Sequence, residues 1–97
     1  MIEEIKMTRY ETLAKKFAER EIVRGTTVIT LANPLLVESM NRDDLDFILF
    51  DAEHGVFDTQ NVVPLLQTCR LMRLPALVRA QDCEYHLIAK AIDMGAD

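Results

Sequence analysis

Four apolar residues, Phe47-Ile48-Leu49-Phe50, run without a polar break into Asp51-Ala52-Glu53-His54-Gly55. A strand with no polar alternation reads as one covered on both faces, which is the habit of parallel sheets flanked by helices. Its carboxyl end delivers two carboxylates, an imidazole and a glycine turn together. In α/β proteins, ligands and catalytic side chains collect at that end of the strands.

An Asp three residues before a His can accept the ring N–H, fix the tautomer and raise the basicity of the other nitrogen. The plainer alternative is that Asp51 caps the turn that follows and His54 is an exposed loop residue. A second signal weighs against it. Pro75-Ala76-Leu77-Val78-Arg79 is another short buried strand, and it ends in an arginine. Neighbouring strands that end in Asp/Glu/His and in Arg suit an anionic, carbonyl-bearing ligand.

The rest of the chain alternates between strand runs and helical spacing. Thr8-Arg9-Tyr10-Glu11 has the form of a capping box. Tyr10, Leu13, Ala14, Phe17 and Ala18 then recur at helical intervals, predicting an amphipathic helix from Thr8 to about Arg20. Gly25 ends a linker, and residues 26–31 are β-rich by composition. Asn33-Pro34 suits an N-cap and first helical residue, predicting a helix over 34–41. Strand 46–51 follows.

Val62, Leu65, Leu66, Cys69 and Met72 repeat at helical spacing. Proline is tolerated only near a helix start, so Pro64 puts the beginning of this helix near Asn61 rather than Asp58. Strand 75–79 comes next, with Asp82 as an N-cap for a last helix. Tyr85, Ile88, Ala89 and Ile92 are expected to form its apolar stripe, and Gly95 its left-handed end. His86 takes a structural reading inside that helix.

This order is a leading helix followed by three βα units, hence an α/β fold with a parallel three-stranded sheet. Residues 1–25 are read as leading helix and linker, and 26–97 as the βα units. A fourth strand is expected to begin at Ala96-Asp97. A (β/α)₈ barrel takes about 250 residues, so the 97 residues are expected to be its N-terminal part, with an unpaired sheet edge.

The totals exclude several classes. Net charge is −5 with no basic run, which argues against nucleic acid, whose binding rests on phosphate neutralisation. No stretch approaches the roughly 20 apolar residues needed to span a bilayer. Residues 1–6 carry acids where a signal peptide needs basic residues. Cys69 and Cys83 lack metal-type spacing and read as unpaired thiols of a cytoplasmic protein. Only three glycines occur, and none forms a G-x-G-x-x-G loop, so a phosphate-binding module is disfavoured.

The segment Phe50-Asp51-Ala52-Glu53-His54-Gly55, then Pro64-Leu65-Leu66, Leu77-Val78-Arg79 and Asp93-Met94-Gly95-Ala96-Asp97, resembles the HpcH/HpaI aldolase family of metal-dependent class II pyruvate aldolases. The likeness runs from about Gly25 onward, in the right order. It departs at Asn41-Arg42-Asp43-Asp44, where the family generally has an Ala-Gly turn.

The resemblance implies the N-terminal part of a TIM (β/α)₈ barrel and cleavage of a 4-hydroxy-2-oxo acid to pyruvate and an aldehyde. It implies a divalent metal (Mg, Mn or Co) held by a Glu and an Asp beyond Asp97, with no metal ligand in this chain. It also implies a small-molecule oxo-acid partner and a homo-oligomer. Arg79 matches the arginine that bonds the keto or enolate oxygen. His54, oriented by Asp51, matches the acid/base pair. Glu53 belongs to the motif with no firmer implied role than organising polar groups or water around the metal, and Gly55 belongs to it without an assigned role. The competing expectation is a non-catalytic α/β module that meets a partner through its open sheet edge.

Overall fold

The computed structural model describes residues 7–55 and 57–97. The acid-bearing segment 1–6, read above against a signal peptide, lies outside them. The elements follow the expected order: α1 (Arg9–Ala18), β1 (Gly25–Val28), α2 (Pro34–Ser39), β2 (Phe47–Asp51), α3 (Thr59–Leu71), β3 (Ala76–Arg79) and α4 (Tyr85–Met94). The strands form one sheet in the order β1-β2-β3, parallel at both pairings. This is the expected leading helix followed by three βα units. Asp97 sits at the start of β3, where a fourth strand would pair. Its N–H donates to the Ala76 carbonyl at 2.8 Å, and its Oδ2 accepts the Ala76 N–H at 2.9 Å.

Helix α1 starts where the capping box puts it. Thr8 accepts the Glu11 N–H and Glu11 accepts the Thr8 N–H, so two otherwise unpaired donors are satisfied. The helix is fastened to the entrance of β2 by polar side chains. Lys16 Nζ lies 2.8 Å from Asp46 Oδ1, and Asp46 Oδ2 accepts the Arg24 N–H at 2.8 Å. Burial would push the Asp46 carboxyl up, but the Arg24 N–H and the Lys16 ammonium outweigh it and hold it below its usual value. Arg9 donates to the carbonyls of Arg42 and Leu45 at 2.7 and 3.1 Å and to the Asn41 side chain. Bonds from Arg9 thus hold the turn over residues 41–45.

The core lies between the sheet and the helices. Ile48 and Phe50 are fully buried against Val37 of α2 and Val62, Leu65, Leu66 and Cys69 of α3. Phe50 meets Phe57 edge to face, with ring centroids 5.8 Å apart. β2 is nevertheless not buried on both faces as its composition suggested. Phe47 and Leu49, on the opposite side of the pleat, are half-buried. An unbroken apolar run marks a strand meant for cover on two sides, and here the helices cover one.

Several boundaries differ from expectation, each for a local reason. β1 ends at Val28, because Ile29 and Thr30 bend away from the ladder. α3 begins at Thr59, not near Asn61. Asp58 accepts the Asn61 N–H at 3.0 Å while Asn61 accepts the Asp58 N–H at 2.7 Å, and this reciprocal cap secures a first turn ahead of Pro64. The cap outweighs the one helix hydrogen bond that Pro64 cannot donate.

α4 begins after Glu84. Asp82 instead bonds the N–H of Cys83, so it caps nothing. The stripe of Tyr85, Ile88 and Ile92 points outward, with exposures of 87%, 44% and 61%, whereas Ala91 is buried and Met94 packs against the core. The helix carries a second apolar line, and it is this line that faces the core. Gly95 ends α4 in the left-handed region at φ 117°, as expected of a residue without a Cβ. His86 is exposed beside Glu84 on the surface of α4. Among the described residues, no helix is long and apolar enough to cross a membrane.

Candidate active site

The parallel register sets Asp51 of β2 directly beside Arg79 of β3. Both residues end their strands, so the motif and the arginine emerge at the same edge of the sheet. The chain leaves β2 in a tight turn over residues 52–54, and the Gly55 N–H closes it on the Asp51 carbonyl at 3.0 Å. Gly55 is needed for its lack of a side chain rather than for an unusual φ. A Cβ there would collide with the backbone carbonyl of Asp51 and lie 2.5 Å from that of Ile29.

Asp51 is the most buried of the motif's polar side chains. Its Oδ1 accepts the backbone N–H groups of Glu53 and His54, each at 3.0 Å. Its Oδ2 lies 3.6 Å from Arg79 Nη1. The His54 N–H is the main reason that the Asp51 carboxyl is held below its ordinary value. The Glu53 N–H and the Arg79 charge act in the same direction, against the opposing effect of burial.

The expected pairing of Asp51 with the His54 ring is therefore not made. A carboxylate oxygen that receives two backbone N–H groups is held in the turn, on the main-chain side of the histidine. This is the turn-capping role that was the plainer alternative for Asp51.

Glu53 takes the ring. Its Oε1 lies 3.4 Å from His54 Nε2, and its Oε2 accepts the Arg79 Nε–H at 2.6 Å. Glu53 thus stands between the two side chains that the sequence singled out. Its reach to β3 could not be read from the motif, because it depends on the register between strands. Toward solvent the cluster opens progressively. Side-chain exposures are 6% for Asp51, 33% for Glu53, 49% for Arg79 and 63% for His54. The structure therefore brings Asp51, Glu53, His54 and Arg79 together, with Gly55 shaping the turn.

The motif is not arranged as a metal centre. Both Asp51 oxygens and both Glu53 oxygens already face N–H groups or the imidazole. Among the described residues, no group of three or more His, Cys, Asp or Glu is placed to hold a metal ion. A cavity of about 190 Å³ lies nearby, lined by residues that include Phe57, Val62, Val78 and Ala91, but none of the four polar side chains lines it.

Solved structures share this backbone. The HpcH/HpaI aldolase from Desulfitobacterium hafniense DCB-2 matches with a TM-score of 0.75 and 25% identity, over 87% of this chain and 32% of that one. Citrate synthase SbnG matches with a TM-score of 0.69 and 23% identity, over 84% of this chain and 33% of that one. A variant of the same synthase gives a TM-score of 0.67 and 25% identity, over 87% of this chain and 35% of that one. No protein-family model and no curated protein matches the chain.

The chain spans about one third of the length of the solved chains it matches. The likeness read in the Asp-x-Glu-His motif and in Leu77-Val78-Arg79 is thus met by the fold of an HpcH/HpaI aldolase. An aldolase and a citrate synthase share that fold, so the choice of reaction lies with the side chains of the site.

Proposed function

We propose that this chain supplies part of the active site of a carbon–carbon lyase, a pyruvate aldolase of the HpcH/HpaI kind acting on 4-hydroxy-2-oxo acids. The observation that carries this reading is Arg79 beside Asp51, Glu53 and His54 at the carboxyl end of adjacent parallel strands. A planar, permanently charged guanidinium suits an oxygen that gains negative charge during reaction. Arg79 accordingly binds the 2-oxo oxygen and the enolate oxygen that it becomes.

His54, with its ring largely exposed, takes the proton of the 4-hydroxyl. The C3–C4 bond then breaks, its electron pair passes into the enolate of pyruvate, and the aldehyde leaves. Protonation at C3 yields pyruvate. Asp51 serves this chemistry indirectly, by holding the backbone of the turn that presents His54.

The resemblance also brings a divalent cation, whose chemistry is Lewis-acid stabilisation of an enolate. The described residues do not fit that ion. Its ligands would come from elsewhere in the protein, and the roles of Arg79 and His54 stand apart from it. A cytoplasmic, homo-oligomeric protein is the setting inferred with this reading.

The test is pyruvate release from 4-hydroxy-2-oxo acids of varied chain length, by the protein as the cell makes it, with and without a chelator. Release that stops in chelator and returns with Mg, Mn or Co is the expected result. No release from any of these acids, or full release in chelator, counts against it.

A second reading has its own observation. Tyr85, Ile88 and Ile92 leave an apolar line exposed along α4, as a non-catalytic module that meets a partner would. Ile92→Lys then abolishes that association, whereas for an aldolase it leaves the chemistry of Arg79 and His54 in place.

A further inference from the structure

We propose that Glu53 is the positioning residue of the site, a brace that sets the guanidinium of Arg79 and the imidazole of His54 at once. The inference rests on the aldolase reading for what the brace accomplishes, but not for its geometry. Two adjacent motif residues and one residue from the next strand meet at a single carboxylate. Oε2 takes the Arg79 Nε–H at 2.6 Å, and Oε1 lies 3.4 Å from His54 Nε2.

Which nitrogen of Arg79 is engaged matters. A guanidinium has five N–H donors in one plane. A bond at Nε uses the donor nearest the stem and stops the plane from turning about it. Among the described residues, the only other polar contact of the guanidinium is the 3.6 Å approach of Nη1 to Asp51 Oδ2. Among the described residues, the Nη2 group has no protein acceptor within hydrogen-bonding distance. Glu53 and Asp51 therefore hold the guanidinium while leaving its far end for a ligand oxygen.

Arg79 is half-exposed, and an exposed arginine otherwise samples many rotamers. Ordering it in advance lowers the entropy lost when the ligand is bound. Asp51 cannot do this alone. Its Oδ1 is committed to two backbone N–H groups, and its Oδ2 stands beyond hydrogen-bonding distance from Nη1.

Glu53→Ala tests the brace with little risk to folding, since the side chain is one-third exposed and Ala leaves no oxygen to accept the Arg79 Nε–H. The first readout is independent of turnover. In protein labelled with ¹⁵N-arginine, the Arg79 Nε–H signal, assigned by its loss in Arg79→Lys, exchanges slowly with solvent in wild type. It broadens or exchanges fast in Glu53→Ala and persists in His54→Ala. An unchanged Nε–H signal in Glu53→Ala overturns the proposal, whatever the enzyme does.

The second readout is a double-mutant cycle on pyruvate release. Glu53→Ala lowers kcat/KM by about 10–100-fold in wild type, the usual effect of losing a group that orients a reacting one. It costs clearly less once Arg79 is already Lys, where only the share that acts through His54 remains. A residue that acts through another loses that part of its effect when the partner is altered. Equal losses in both backgrounds overturn the positioning role. A wild type that releases no pyruvate but shows the Nε–H result leaves the brace standing and removes the aldolase reading, so the two fail separately.

Discussion

The Asp51 carboxylate and the His54 backbone N–H meet at 3.0 Å, with the imidazole directed to Glu53 instead. The acid of an Asp-x-Glu-His motif is thus joined to its histidine through the main chain. Replacing Asp51 by Asn keeps an oxygen that can accept the two N–H groups, while Ala leaves both donors without it. Asp51→Ala should lower the urea midpoint clearly more than Asp51→Asn does. Equal midpoints for the two variants would show that the turn does not depend on that oxygen.

The same carboxyl carries a pH dependence. Its value in the folded protein is lowered from 3.8, mainly by the His54 N–H. A group depressed in this way contributes stability that is complete above its unfolded value and is lost as pH falls through the folded one. Urea midpoints measured from about pH 6 down to about pH 3 should show wild type and Asp51→Asn converging at the acid end. A gap that widened as pH fell would reverse the sign of this argument.

Gly55 tests the turn from the other side. Its Cβ position is occupied by the carbonyls of Asp51 and Ile29, and its backbone is not in the left-handed region. The cost of Gly55→Ala is therefore steric, about 1–3 kcal/mol as for other overpacked sites. Chemical denaturation should register it, together with loss of the Arg79 Nε–H signal as the turn moves Glu53. A neutral Gly55→Ala would mean that the turn has room to spare.

The chemistry at the end of β2 was legible because it is local. Phe47 to Phe50 announce a strand, and the motif follows within five residues, so the end of the sheet at which Asp51, Glu53 and His54 emerge needs no further information. That Arg79 joins them followed once two parallel strands were read. What could not be read depends on groups without a sequence signature. The destination of the Asp51 oxygens is decided by main-chain N–H groups, and the reach of Glu53 to Arg79 is decided by register.

Helix α3 shows the same limit in another form. Pro64 argued for a late start, but a reciprocal cap between Asp58 and Asn61 outweighs one missing bond. On α4, periodicity found an apolar stripe and could not tell which of two such lines the sheet would take.

The cysteines separate by environment. Burial pushes the Cys69 thiol up to about 12, with the Asp97 charge adding to it, while Cys83 is exposed. Against its ordinary value of 9.0, Cys69 in the folded protein presents about 10³-fold less thiolate than it would unfolded. Iodoacetamide should label Cys83 in native protein and reach Cys69 only in denaturant, as peptide mapping would show. Rapid native labelling of Cys69 would place α3 in a looser core than the contacts of Val62, Leu65 and Leu66 describe.

Arg79 and His54 should fail in different ways if their proposed roles hold. Arg79→Lys keeps the charge but loses both the planar fork and the Nε–H that Glu53 holds. The enolate oxygen is then less well stabilised, and kcat should fall by about 10²–10³-fold, as for the loss of one oriented donor. His54→Ala removes the base for the 4-hydroxyl, and carbon–carbon cleavage should fall by about 10²–10⁴-fold. Exchange of the C3 protons of pyruvate with solvent separates the two. It needs the enolate but no 4-hydroxyl, so Arg79→Lys should slow it and His54→Ala should leave it comparatively fast. Neither change should abolish thermal stabilisation by the divalent metal proposed above, because, among the described residues, neither side chain belongs to a metal-binding group. Wild-type cleavage by His54→Ala, or proton exchange indifferent to Arg79→Lys, would separate these residues from the roles assigned to them.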